Sequence, residues 1–207
     1  MHFEFLVEEA SLESALTQLL PKILPSTVTF KIHAFRGKDD LICKLPNRLK
    51  GYQAWLPPDW KIVILIDEDR ENCLKLKQQL EIMAISSGLI TKSSCQKYKS
   101  FQVLNRIVVE ELEAWFFGDV DAIRQAYPKV STNLANQQPY RDPDAIKGGT
   151  WEALERVLRK AGYHQGGLEK YKASSEISQY MNPESNRSKS FQFFCQGLLE
   201  SINSQQV

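Results

Sequence analysis

The chain has 207 residues, which is enough for one large domain or for a domain with an additional region. Its composition, 43% hydrophobic and 25% charged, is typical of a globular protein and excludes a disordered or fibrous chain. The net charge is +1, from 26 basic and 25 acidic residues, so the sequence carries no overall electrostatic attraction to nucleic acid or to a membrane surface. A local basic patch stays compatible with this balance.

The beginning of the chain favours a cytoplasmic protein that does not enter the membrane. It contains Glu4, Glu8 and Glu9 in place of a basic and then apolar leader, and no apolar run approaches the length of a membrane span. The four cysteines and three histidines are scattered, without the spacing of a zinc or redox motif. We therefore expect reduced cysteine thiols.

Strand patterns alternate with helical patterns over residues 1–127. The strand patterns lie at residues 3–7, 28–35, 61–66 and 101–109. Helical patterns begin at Ser11 and at Glu71, and Pro21 and Pro25 close the first of them. Residues 41–55 indicate a mixture of helix and loop. This alternation predicts the α/β class, with a mostly parallel sheet flanked by helices.

The pattern changes after Pro128. Residues 128–149 have the composition of loops, and helical patterns follow at residues 151–161, 168–180 and 191–202. We therefore predict an α/β domain at residues 1–127 and a C-terminal helical region at residues 128–207, packed on the first domain as one unit.

The run from Ile62 to Ile66 is the most strand-like segment, and it ends in Asp67-Glu68-Asp69. Such an apolar run indicates a buried, central parallel strand, and ligand sites of open α/β sheets lie at the carboxyl ends of these strands. In an extended chain Asp67 and Asp69 face the same side and Glu68 the other. Two carboxylates in this position are suited to binding Mg²⁺.

Other acidic residues follow the first and fourth predicted strands. Glu8 and Glu9 come after the first, and Glu110 and Glu113 come after the fourth, where they are three residues apart and share one face of a helix. If the sheet is parallel, these carboxylates converge with Asp67 at one edge. A bound Mg²⁺ there would activate a water molecule and neutralise charge on a phosphoryl group.

A structural role for the same acids stays open, because single carboxylates at strand ends also cap helices and fill solvated turns. For Glu111 the structural role is favoured. The aromatic residues Trp115, Phe116 and Phe117 are predicted to be core residues more than a platform for nucleic-acid bases.

A strand ending in Glu8, a helix, and a later apolar strand ending in Asp67-x-Asp69 resemble the Toprim domain of topoisomerases, primases and overcoming-lysogenization-defect nucleases. The resemblance implies that Glu8 is the catalytic or metal-organising acid and that Asp67 and Asp69 bind Mg²⁺ or Mn²⁺. Toprim domains usually have Gly after the first Glu. In this chain the position is occupied by Glu9, and we expect Glu9 to share the role of the first acid, Glu8.

Six strings carry a second resemblance, which covers nearly the whole chain. They lie at residues 7–11, 37–41, 66–70, 110–119, 140–146 and 186–191. These strings resemble a bacterial family named for its unknown function, domain-of-unknown-function family 4276. The resemblance implies a Toprim-like fold and, for some members, an ATPase of the ATP-binding-cassette type encoded alongside, in arrangements suspected of phage defence.

Four basic residues are candidates for contacts to phosphate or substrate. Lys38 follows a glycine turn, Arg70 follows the acidic pair, Arg141 lies in the loop between the two regions, and Arg187 precedes the last helix. Lys38 is a candidate catalytic residue if it contacts a phosphate, and a solvated turn residue otherwise. The alternative to a phosphate contact for Arg70 is a surface ion pair.

The favoured hypothesis is an Mg²⁺-dependent phosphoryl-transfer enzyme, above all a nuclease that acts on nucleic acid. An alternative is a non-catalytic regulatory subunit that docks on a partner ATPase. A third hypothesis is a binding module for an anionic ligand that uses Lys38, Arg70 and Arg187.

Overall fold

A computed structural model describes residues 1–69, 71–96 and 100–203, so the candidate Arg70 lies outside the described residues. In the first half, strands and helices alternate: β1 (His2–Val7), α1 (Ala10–Ile23), β2 (Thr29–Ala34), α2 (Lys38–Trp55), β3 (Trp60–Asp67), α3 (Cys73–Ser86) and β4 (Val103–Val108). Helices follow: α4 (Glu113–Gly118), α5 (Val120–Ala126), α6 (Thr150–Lys160), α7 (Lys170–Ser178) and α8 (Lys189–Asn203). Short 3-10 turns occupy parts of the segment between α5 and α6.

The four strands of the described chain form a parallel sheet in the order β2-β1-β3-β4, which confirms the predicted α/β class and parallel sheet. The register pairs Val7 of β1 with Leu65 of β3, and Asp67 of β3 with Val108 of β4. The carboxyl ends of the strands therefore meet at one edge, and the segments that leave β1, β3 and β4 begin next to one another.

Each face of the sheet carries a buried apolar layer. On one face Leu6, Ile62 and Ile64 pack with residues of α2 and α3. On the other face a larger cluster extends from Phe3 in β1 to Leu198 in α8. This cluster joins residues on both sides of position 127, and the division into two regions stays a prediction. No helix of the described residues is long and apolar enough to cross a membrane.

The larger cluster contains the aromatic string of α4. Trp115, Phe116 and Phe117 are fully buried, which confirms their predicted place in the core. The Trp115 ring stacks on Phe194 at a centroid distance of 5.1 Å, and its Nε1 donates to Ser190 Oγ at 3.0 Å. The indole therefore joins α4 to α8 through both its apolar ring and its polar atom.

The mixed helix and loop predicted for residues 41–55 is a single helix, α2, which begins at Lys38 and continues through Pro46. Its residues Leu41, Leu45 and Leu49 recur at helical spacing and are fully buried. This packing outweighs the hydrogen bond that proline cannot donate. Helix α1 ends at Ile23, between Pro21 and Pro25, where the sequence predicted its close.

A matched pair of glycine substitutions tests the packing of α4 against the segment before α8. A Cβ on Gly118 would overlap the Asn186 side chain and lie 2.9 Å from the backbone nitrogen of Ser188. We expect Gly118→Ala to lower the free energy of unfolding by about 1–3 kcal/mol, measured by urea denaturation. Gly51→Ala, at a helical position with nothing within 4 Å, should raise it by about 0.5–1 kcal/mol. Equal effects of the two substitutions would contradict this packing.

Candidate active site

Three carboxylates are buried at the carboxyl edge of the sheet. Glu8 follows β1, Asp67 ends β3 and Glu113 begins α4, and their exposed fractions are 9%, 7% and 2%. Burial raises the pKa of Asp67 well above its usual value, and the negative charges of Glu8 and Glu113 raise it further. The sheet register and the short connection to α4 thus bring together acids from three separate segments, as the sequence predicted.

The two glutamates respond to burial in the same way. Burial raises the pKa of Glu8 to about 7, although the backbone N–H of Asp67 donates to Glu8 Oε2 at 3.1 Å and favours the charged form. Burial also raises the pKa of Glu113 to about 7, against the opposing charge of Lys170. Both carboxyl groups therefore exchange protons near neutral pH, the range in which a general base operates.

One oxygen of this cluster has no partner. Asp67 Oδ1 is buried and accepts no hydrogen bond from any of the described residues. An unsatisfied buried acceptor costs about 1–3 kcal/mol, and more when it is charged. A cation is the partner that would satisfy this oxygen and reduce the repulsion among the three acids.

Asp69 does not continue the strand. Its φ of 53° is left-handed, so the extended chain assumed for Asp67 and Asp69 is wrong. Asp67 is buried, whereas the Asp69 side chain is 44% exposed and lies 2.7 Å from Lys38 Nζ. The turn forms because Asp69 N donates to the carbonyl of Glu110 at 2.8 Å, which ties this segment to the one after β4.

Lys38 lies at the mouth of the acidic cluster with its side chain 14% exposed. Besides Asp69, its ammonium contacts Glu71 at 3.0 Å and donates to the carbonyl of Glu68 at 3.2 Å. Burial lowers the pKa of Lys38, but the carboxylates of Asp69 and Glu71 raise it on balance. Lys38 therefore stays charged and takes the position of a counter-cation to Asp69.

A second lysine, which the sequence analysis missed, lies on the other side of the cluster. Lys170 Nζ is 4.0 Å from Glu9 Oε1 and 5.4 Å from the centre of the Trp151 ring. Burial lowers the pKa of Lys170, but the charges of Glu113 and Glu9 raise it on balance. The sequence offers no signal for this residue, because it is an ordinary lysine at the start of a helix far along the chain.

Glu110 and Glu113 do not share a helical face, because α4 begins only at Glu113 and Glu110 has a left-handed φ of 60°. The backbone turn at Glu110 directs the chain away from the strand before the helix starts. Glu111 accepts hydrogen bonds from Thr150 N at 2.8 Å and Trp151 N at 2.9 Å, so it caps α6. This contact confirms its structural role.

A cleft of about 540 Å³ opens beside the cluster. It is lined by Asp69, Glu71, Glu110, Glu111, Gly148, Gly149, Trp151 and Glu152. Gly149 has a φ of 88°, and a Cβ at this position would overlap the Glu152 carboxylate. The glycine therefore allows the loop before α6 to pass close to this acid and form one wall of the cleft.

Arg141 and Arg187 lie together and contact backbone carbonyls. Arg187 donates to the carbonyls of Arg141 at 3.2 Å and Phe117 at 3.3 Å, and Arg141 Nε donates to Asn136 O at 3.1 Å. The amino end of α8 is capped by Asp144, which accepts from Ser188 Oγ at 2.7 Å. A protein carboxylate thus occupies the amino end of α8, beside Arg187. The roles of both arginines in substrate binding stay predictions.

The cluster does not form a closed metal site as it stands. Among residues 1–69, 71–96 and 100–203, no group of three or more acidic, histidine or cysteine side chains is arranged to hold a metal ion. The donor set nevertheless fits a hard divalent cation, since it consists of carboxylate oxygens and includes one buried oxygen without a partner.

Two solved structures are similar to this chain in fold. The C-terminal region of the OLD protein of Xanthomonas campestris pv. campestris has a TM-score of 0.48 and 13% identity, covering 99% of this chain and 97% of that one. The C-terminal region of the OLD protein of Burkholderia pseudomallei has a TM-score of 0.48 and 14% identity, covering 99% and 98%. No curated protein matches the sequence.

The sequence itself matches one family over most of its length. The model of DUF4276, a domain of unknown function, matches residues 7–199. This range includes the acids that follow β1, β3 and β4, and it ends within α8. The chain therefore belongs to the DUF4276 family.

Proposed function

We propose that this protein is an Mg²⁺-dependent phosphoryl-transfer enzyme, and specifically a nuclease. The observation that carries the proposal is the buried Asp67, whose Oδ1 has no partner in the described chain and which lies among the other buried acids. Such a cluster is unfavourable without a cation, and functional sites are where groups with strongly shifted pKa values concentrate. The proposed cation is Mg²⁺ or Mn²⁺.

Glu8, Asp67 and Asp69 are the residues that would hold the metal, with Glu110 and Glu113 as further candidates. When bound, the metal would supply positive charge to phosphoryl oxygens and lower the pKa of a water molecule. Asp69 would have to exchange its contact with Lys38, 2.7 Å away, for one with the metal.

The chain's own residues divide the remaining work. Lys38 and Lys170 flank the acids, stay charged, and are placed to bind the oxygens of a phosphodiester once the metal neutralises the carboxylates. If Asp67 and Asp69 hold the metal, Glu8 would be free to accept a proton from an attacking water. Glu9 lies 4.0 Å from Lys170 and orients its ammonium.

The choice of nucleic acid as substrate rests on the Toprim-like order of Glu8, Asp67 and Asp69 in the sequence. The family's suspected part in phage defence is a further proposal. The alternative is a non-catalytic subunit of an ATPase. It predicts that the isolated chain hydrolyses no nucleic acid, whether or not it binds a metal.

Replacement of one buried oxygen tests the metal site directly. We expect Asp67→Asn to abolish the rise in melting temperature that Mg²⁺ produces in the wild type, because binding to the folded state stabilises by mass action. The same change should lower Mg²⁺-dependent cleavage of single- and double-stranded DNA by at least about a hundredfold. Asp121→Asn, at a carboxylate that is 81% exposed and pairs with Arg124, is the matched control. Undiminished cleavage by a folded Asp67→Asn protein would refute the proposal.

Stability without metal should fall as the pH rises. Folded Glu8 and Glu113 hold their protons up to about pH 7, whereas the unfolded chain releases them near the ordinary pKa of 4.5. The folded state therefore binds more protons over this interval, and its stability decreases through it. In a chelator, we expect the melting temperature to drop by roughly 4 °C or more between about pH 5.5 and about pH 8.

The pH dependence has its own control. Glu113→Gln should reduce the dependence of the melting temperature on pH, since glutamine does not titrate. Mg²⁺ should stabilise the wild type more at the higher pH. A wild-type melting temperature that increases over the same interval would contradict the assignment of protonated, buried acids.

Lys170→Met tests the second cation. We expect it to reduce Mg²⁺-dependent cleavage by roughly tenfold to a hundredfold while the Mg²⁺-induced rise in melting temperature persists, because the lysine contacts substrate more than metal. Lys172→Met, at an exposed position two residues further along α7, is the control and should leave cleavage unchanged. Equal activity of both variants would exclude Lys170 from the reaction.

A further inference from the structure

The outer edge of β4 presents hydrogen-bonding groups away from the sheet. On the inner side, Glu68 N donates to Val108 O at 2.8 Å and continues the parallel ladder with β3. Successive residues of a parallel strand direct their peptide N–H and C=O groups to opposite sides of the strand. The even-numbered residues of β4 therefore bond to β3. The peptide groups of Asn105 and Ile107 consequently face outward.

The rest of the described chain covers only the ends of this edge. Thr91 pairs with Val103 at the start of β4, and Val109 N donates to a serine hydroxyl of α8 at 3.1 Å just after its end. Between them, Arg106 Nη1 donates to the Asn105 carbonyl at 3.1 Å. The other outward groups are the N–H of Asn105 and the N–H and carbonyl of Ile107. None of them has a hydrogen-bond partner among the described residues.

A groove of about 500 Å³ runs along this edge between α3 and α8. Leu74 of α3 and Phe193 of α8 line it, and they are 74% and 61% exposed. Exposed large apolar side chains on both sides of an open strand edge are unusual in a folded protein unless another chain covers them.

The floor of the groove contains an unsatisfied acceptor. Asn105 is 2% exposed, and its Nδ2 donates to Glu81 Oε1 at 2.9 Å, but its Oδ1 has no partner among the described residues. A buried amide oxygen normally accepts a hydrogen bond.

The groove is also positively charged. Lys77, Lys92 and Arg106 line it, and Lys92 pairs with Glu200. Lys77 forms no ion pair with the described residues. Arg106 is held in place by Nε donating to the carbonyl of Phe193 at 3.2 Å. Its position also requires glycine at 197, since a Cβ there would lie 2.8 Å from Arg106 Cζ.

We propose that this groove binds an extended segment of a partner protein, which adds to the sheet as a strand beside β4. The free peptide groups select a backbone in β conformation, and apolar side chains of the segment would cover Leu74 and Phe193. Lys77 selects a carboxylate, whereas Glu200 and Glu81 already lie near Arg106. A second copy of this chain paired through the same edge would bring these cations against their own equivalents, which disfavours self-association.

The test uses a displayed library of random peptides of about nine residues, a usual strand length. The full chain should enrich peptides that alternate apolar residues and contain Asp or Glu. Synthetic versions should bind with micromolar affinity in fluorescence anisotropy. Phe193→Asp should weaken binding at least about tenfold. Ile107→Pro should do the same, because it removes one outward N–H while the ladder to β3 stays intact.

Leu199→Asp is the control, since Leu199 is 45% exposed on the same helix but does not line the groove. It should leave binding unchanged. If Ile107→Pro does not fold, Phe193→Asp at the surface decides alone. Cleavage of DNA by Phe193→Asp should equal that of the wild type, which separates this groove from the acidic site.

Three results would overturn the proposal. The first is that the selected peptides bind Phe193→Asp as tightly as the wild type. The second is that the wild type sediments as a dimer and Phe193→Asp as a monomer. The third is that an oligonucleotide displaces the selected peptide. The second would assign the groove to a second copy of the chain, and the third to nucleic acid.

Discussion

The central constraint on this structure is the burial of Glu8, Asp67 and Glu113 at one edge of a parallel sheet. The parallel register brings the segments that follow β1, β3 and β4 to this edge. Burial raises the pKa of each acid, and the charges of Glu8 and Glu113 raise that of Asp67 further. The lysines at the rim act in the opposite direction, Lys38 on Glu8 and Lys170 on Glu113. A cation would make the arrangement favourable, and the proposed function rests on that expectation.

The same constraint separates the part of the site fixed by the sheet from the part that a metal would rearrange. Asp67 is fixed by the sheet, whereas Asp69 lies on a left-handed turn and is held by Lys38 at 2.7 Å. A metal would compete with that lysine for the same carboxylate and release an ammonium beside the cleft. The groove beside β4 lies along the lateral edge of the sheet and is lined by none of these residues. It has its own cations and its own unsatisfied acceptor.

The fold was predictable where local pattern and tertiary packing agree. The apolar run at residues 62–66 is a buried central strand, and acids after successive strands meet because the sheet is parallel. Prediction failed where packing outweighs local preference, as in α2 through Pro46, and where non-glycine residues adopt left-handed turns, at Asp69 and Glu110. Lys170 was not predictable, because its contact with Glu9 joins segments far apart in the chain.

A crystal structure of the protein grown with Mn²⁺ tests the central claim most directly, because the anomalous signal locates the ion without assumptions about ligands. The account predicts a Mn²⁺ ion in contact with Asp67 Oδ1 and Glu8, with Asp69 turned away from Lys38. An ion bound elsewhere, or Asp67 Oδ1 still without a partner at saturating Mn²⁺, would contradict it.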